Sequence, residues 1–142
     1  MGSQGNNPQK VLALGEKEWL DCVHWSPDSR RLAYLRGRQR SSGGDSGGAA
    51  IETCDLTGHR TVIVSDPEVL LEDFCWLSER RIVYSRQESP GSSDDNLWQI
   101  GIDGQVGTPT GKPKRLTQWA GSFLGNLCAS ADGKRLTLEK TT

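Results

Sequence analysis

The stretch Trp19-Leu-Asp-Cys-Val-His-Trp-Ser-Pro-Asp-Ser-Arg-Arg-Leu-Ala-Tyr34 returns twice further along the chain. Leu70-Leu-Glu-Asp-Phe-Cys-Trp76 and Phe123-Leu-Gly-Asn-Leu-Cys-Ala129 align with its first half. Leu20, Leu71 and Leu124 fall in one column, and Val23, Phe74 and Leu127 in another. His24, Cys75 and Cys128 share the next column, then Trp25, Trp76 and Ala129. A polar turn follows in each copy, then Arg31-Leu-Ala-Tyr-Leu35, Arg81-Ile-Val-Tyr-Ser85 or Arg135-Leu-Thr-Leu-Glu139. The register slips by one residue inside the turn, where a change of length is tolerated. A repeat of roughly fifty residues has the length of a propeller blade.

The turns supply the mechanism. In Ser26-Pro-Asp-Ser29, Pro27 takes the first central position of a type I turn, where its fixed φ is already correct. In Ala131-Asp-Gly133 the glycine accepts the positive φ that closes the hairpin. Leu77-Ser-Glu79 is a shortened copy. Each turn joins two apolar runs rich in β-branched and aromatic residues, which predicts a hairpin. A second strand pair follows in the first two copies. Residues 50–56 lead through Thr57-Gly58 to 61–64, and residues 96–102 lead through Asp103-Gly104 and then a longer loop to 113–117. Each unit therefore reads as four antiparallel strands, over residues 19–65 and 69–118, with a third unit of two strands over 123–140. Gln9–Leu14 reads as the last strand of a preceding unit, residues 1–8 as a disordered N-terminus, and 66–73 as no more than a turn.

The chain has 142 residues, and its apolar share is 34%, or about 46% with the 17 Gly counted in, inside the usual range of ~45–50%. Seventeen basic and 18 acidic groups leave a net charge of −1, so no basic field invites nucleic acid. No apolar run approaches the ~20 residues of a membrane-spanning helix, and Met1–Asn7 lacks the apolar core of a signal peptide, which points to the cytoplasm. Cys22, Cys54, Cys75 and Cys128 form no closely spaced pair, so neither a zinc site nor any other metal or cofactor site is expected. The thiols sit in apolar or alternating stretches and read as reduced packing residues, although their even count permits two disulfides. No Gly-x-Ser-x-Gly elbow occurs, and the Gly-rich segment 41–48 lacks the Lys-Ser/Thr ending of a phosphate loop.

Trp25-Ser-Pro-Asp-Ser-Arg-Arg-Leu-Ala-Tyr34 resembles the repeat signature of the TolB-like, WD40-like β-propellers, W-S-P-D-G-x-x-[LI]-[AV]-[FY]. Ala129-Ser-Ala-Asp-Gly-Lys-Arg-Leu-Thr-Leu138 and Trp76-Leu-Ser-Glu-Arg-Arg-Ile-Val-Tyr84 are similar to it, the latter without the Pro-Asp-Gly core. Asn96–Gly104 and Lys114-Arg-Leu-Thr117 are similar to the strand and turn that follow in that family. The resemblance spans residues 9–140 and implies an all-β propeller segment. It implies little about activity, because such repeats serve in periplasmic TolB, in prolyl-oligopeptidase-like peptidases and in sensory parts of bacterial serine/threonine kinases and regulators.

The expected function is therefore a non-catalytic module that binds a protein or ligand. The alternatives are a gating or sensory propeller within an enzyme, or a TolB-like transport role. A propeller closes with about four blades or more, so the missing blades are expected from a longer chain or from self-association. Two loops at equivalent places, 36–48 and 87–95, form the candidate binding rim. Arg36, Arg38 and Arg40 make the first basic, and Asp94 and Asp95 make the second acidic.

Overall fold

The computed structural model describes residues 8–39 and 47–142, and the predicted N-terminal tail and Arg40 lie largely or wholly outside them. Ten strands follow one another without a helix among the described residues. The first sheet is β1 (Glu18–Trp25), β2 (Arg31–Arg38), β3 (Gly47–Asp55) and β4 (Arg60–Asp66), in sequence order and antiparallel. The second sheet repeats that order with β5 (Leu71–Ser78), β6 (Arg81–Gln87), β7 (Asp95–Gly101) and β8 (Lys114–Arg115). A hairpin of β9 (Phe123–Ala129) and β10 (Leu136–Thr141) follows.

The sequence columns are structural columns. Trp25 pairs with Leu32, Trp76 with Ile82 and Ala129 with Leu136. The first and last hairpins share a bulge, with Cys22 and Asn126 both at φ 52° in the same column. Two residues of the inner strand there face one of its partner, which bends the strand.

The turns also repeat, bond for bond. Ser26 and Ser130 donate their hydroxyls to Asp28 and Asp132, each at 2.6 Å. Those carboxylates accept from the Arg30 amide at 3.1 Å and the Lys134 amide at 3.0 Å. The same serine hydroxyls accept from the amides of Arg31 and Arg135, both at 3.0 Å. Ser29 and Gly133 close the turns on the carbonyls of Ser26 and Ser130 with φ of 59° and 68°.

Side chains alternate across each strand, so one sheet serves two cores. Ala33, Leu35, Ile51 and Ile63 of the first sheet pack against Phe74, Trp76, Ile82 and Tyr84 of the second. Cys75, Val83 and Leu97 leave the other face of the second sheet and pack against Leu124, Leu127, Leu136 and Leu138 of the hairpin. The Leu32, Ile82 and Leu136 column thus points back along the chain in every unit, and the Ala33, Val83 and Thr137 column points forward.

Three expectations are corrected. Residues 9–14 form no strand, because no neighbouring strand offers them a ladder; Val11 instead lies by Cys54, its carbonyl 3.9 Å from the Sγ. The strand expected over 113–117 shortens to Lys114–Arg115. The longer loop expected after Asp103-Gly104 is present, with Asp103 gathering the amides of Gln105 and Val106 and the positive φ on Gly107. Arg36 and Arg38 belong to β2 rather than to a loop, and Asp95 opens β7.

Candidate functional site

The candidate rim residues separate into two sets with different surroundings. Arg36 lies between two carboxylates, donating from Nε to Glu52 and from Nη1 to Glu18 at 3.2 Å. Alternation along β2 and β3 places Tyr34, Arg36 and Glu52 on the face turned away from the second sheet. Glu52 is only 2% exposed, and it also accepts from Arg60 Nη2 at 2.9 Å and the Tyr34 hydroxyl at 3.3 Å. Arg36 is therefore structural, since a buried carboxylate needs its cation. Arg38 differs. Its side chain is 70% exposed and reaches Glu18 only at 3.6 Å. Arg40 lies outside the described residues.

Asp94 and Asp95 connect the second sheet to the hairpin. Asp94 accepts from the Gly121 amide and bridges to Ser122. Asp95 is buried and accepts from the Leu124 amide at 3.0 Å through Oδ2, while its Oδ1 is without a partner. Burial raises its pKa above the ordinary 3.8, the Leu124 amide opposing and Asp94 adding to the rise. Among the described residues no ion pair joins Arg36 or Arg38 to Asp94 or Asp95. Glu52 and Arg60 were missed from sequence. Their signal was a Glu alternating with Ile51 and Thr53 on a strand whose outer face has to be covered.

The inner strands β1, β5 and β9 leave two open clefts between units. One, of about 490 Å³, is lined by His24, Trp76, Ser78, Cys128 and Asp132 among others. The other, of about 620 Å³, is lined by Cys22, His24, Glu72, Asp73 and Asn126. Asp73 spends both oxygens on backbone, accepting from the amides of Phe74 and Leu127 at 2.8 Å each. Burial, with Asp73 beside it, pushes the Cys22 thiol up to about 12, and the same causes hold Cys75 at about 12. Both thiols are thus kept protonated and poor as nucleophiles at neutral pH. His24 meets Phe74 edge to face at 5.5 Å. All four cysteines are free, and no group of three His, Cys, Asp or Glu side chains is placed to hold a metal ion among the described residues.

A third cleft, of about 640 Å³, opens at the turn end between the first two units, lined by Arg30, Glu79, Arg80 and Asp103. Arg31 Nη2 donates to the Gln105 carbonyl at 2.9 Å beside it and ties the two units together. Asp28 and Asp103, which also line it, are committed to turn amides. No family model, curated protein or solved structure matches the chain. No helix of the described residues is long and apolar enough to cross a membrane.

Proposed function

We propose that the chain is a segment of a TolB-like β-propeller that acts as a non-catalytic module binding a protein or ligand. The observation that carries the reading is the bond-for-bond repetition of the turn at Ser26–Arg31 and Ser130–Arg135. Shared columns and shared turn chemistry, with every unit facing the same way, are what tandem blades require. Four carboxylates that line the clefts are engaged by the fold itself: Asp28, Asp103 and Asp132 hold turns, and Asp73 holds the inner strands. The binding role rests on Arg38, the one candidate arginine among the described residues whose side chain is mostly exposed. With Arg40 following two residues later, the rim suits an acidic partner.

The test is affinity capture with the wild-type chain and with an Arg38→Ser/Arg40→Ser chain of equal melting temperature. Arg36 is left in place because Glu52 depends on it. A partner held by the first and released by the second supports the rim. A partner held equally by both removes it, and turnover of a simple ester or peptide by the purified chain removes the non-catalytic reading.

A further inference from the structure

Each unit carries two adjacent cations where its first turn meets its second strand. They are Arg30-Arg31, Arg80-Arg81 and Lys134-Arg135. The shared register puts all three pairs at the turn end of the strands, the end away from Arg38. Arg31 is half-buried and the other five are exposed. The pattern is internal to each unit, so it is the same whatever precedes or follows the three of them.

The fold makes little use of these cations. The ion pairs among the described residues draw on Arg36, Arg38, Arg60, Arg86 and Arg115 and on none of the six. Only Arg31 donates from its side chain, to the Gln105 carbonyl at 2.9 Å, and it lies against Gly107, where a Cβ would strike the guanidinium. The carboxylates at this end behave differently. Asp28, Asp55, Asp103 and Asp132 each accept from a turn amide. Their acceptors are spent inside the turns, whereas five of the six cations have no protein acceptor among the described residues.

Spacing selects the occupant. Packed sheets lie about 10 Å apart, so the cation pairs recur at about that interval. A polyproline II chain rises about 3.1 Å per residue with three residues per turn, which sets every third side chain on one face about 9 Å apart. The cleft of about 640 Å³ between Arg30 and Arg80 gives such a chain a place to lie. A nucleic-acid backbone fits worse. It carries a charge at every residue, and each turn sets a carboxylate, Asp28, Glu79 or Asp132, beside its cation pair.

We propose that the turn end of the chain binds an acidic segment of a partner protein in polyproline II conformation, with a carboxylate at every third residue and one carboxylate seated at each cation pair. Each contact is exposed and weak alone, so affinity comes from the three acting together and falls with added salt. The Arg38 rim lies at the other end of the strands, so either surface can fail without the other.

The experiment is fluorescence anisotropy of a labelled peptide of repeating Glu-Pro-Pro against the full 142-residue chain at low ionic strength. The comparison probes are repeating Gln-Pro-Pro, a peptide of the same composition with its Glu gathered in one block, and single-stranded DNA of equal charge. The protein variants are Arg30→Gln/Arg80→Gln, Lys134→Gln and Arg38→Ser. Arg31 is left in place because it ties the first two units together. The Glu-Pro-Pro peptide is expected to bind, and the other three probes to bind at least tenfold more weakly. Arg30→Gln/Arg80→Gln should weaken binding tenfold or more, Lys134→Gln about threefold, and Arg38→Ser not at all. Both substituted sites are exposed, so unchanged melting temperatures are expected. No binding at millimolar peptide overturns the proposal. So does equal binding by the Arg30→Gln/Arg80→Gln and Lys134→Gln chains, equal binding of the blocked-Glu peptide, or tighter binding of the DNA. Release by Arg38→Ser alone would move the acidic partner to the rim and also overturn it.

Discussion

The Arg60 guanidinium on β4 donates twice to one oxygen of Glu52 on β3, from Nη2 at 2.9 Å and from Nε at 3.0 Å. Arg36 holds the other oxygen, so one buried carboxylate gathers two cations on the face turned away from the second sheet. Both arginines are partly exposed and can re-solvate, whereas Glu52 cannot. Replacing Glu52→Gln is expected to cost about 1–3 kcal/mol, since the bonds to a charged group are lost while the site stays buried. A Glu52→Gln/Arg60→Gln double-mutant cycle by urea denaturation reads the coupling directly. Strictly additive losses would show that the pair contributes nothing.

At the positive-φ position one matching turn has Ser29 and the other Gly133, and reciprocal swaps there should have opposite effects. Ser29 carries a side chain at φ 59°, in the left-handed region that costs an L-residue roughly 1–2 kcal/mol. Ser29→Gly is therefore expected to stabilise by about 0.5–1 kcal/mol, the release of strain being offset by the entropy of glycine. Gly133 is at φ 68°, and a Cβ there would lie 2.2 Å from the Leu77 carbonyl oxygen. Gly133→Ser should destabilise by about 2 kcal/mol or more, adding a steric conflict to the strain. Thermal unfolding of both variants checks the signs, and a neutral Gly133→Ser would mean that the third unit does not press on Leu77.

The repeat and its strand order were legible because hydrophobic columns and turn residues are local signals. Leu32, Ile82 and Leu136 align in sequence and lie at the same register in structure. The bulges at Cys22 and Asn126 were not legible, because neither residue is a glycine to mark a positive φ. Residues 9–14 carry a short apolar run, Val11–Leu14, like that of a strand, but a strand exists only where a neighbour pairs with it, and sequence pattern cannot supply one. The surroundings of Arg36 were hidden for the same reason. Arg36 looked like a loop cation until the register of β2 and β3 put it beside Glu52.

Trp19 packs flat over Gly37, its partner across the β1–β2 ladder. A Cβ at position 37 would sit 2.0 Å from the indole Cζ2. Gly37→Ala is expected to displace the ring and cost about 1–3 kcal/mol. Trp19→Leu/Gly37→Ala should recover part of that loss, because the smaller side chain leaves room for the new methyl. Urea midpoints for the single and double variants are the measurement; a double variant no more stable than Gly37→Ala alone would place the damage elsewhere.

Acid should first strengthen the fold and then weaken it. Burial raises Asp95 above 3.8 and Glu72 above 4.5, the nearby Asp95 adding to the rise of Glu72. Between those ordinary values and the raised ones the folded chain binds more protons than the unfolded chain, so stability climbs as pH falls through that window. The turn aspartates move the other way. The Thr57 hydroxyl and His59 amide hold Asp55 below 3.8, the Val106 and Gln105 amides hold Asp103 below it, and Ser130 with the Lys134 amide holds Asp132 below it. Their contribution is complete above 3.8 and is lost as pH drops through their lowered values. Urea midpoints followed from about pH 7 down to about pH 3 should therefore pass through a maximum in weak acid. Asp95→Asn should flatten the rising side, because the amide keeps the acceptor for Leu124 and carries no charge to bury. A wild type whose stability falls steadily from neutrality would show that Asp95 and Glu72 are ionised in the fold without penalty.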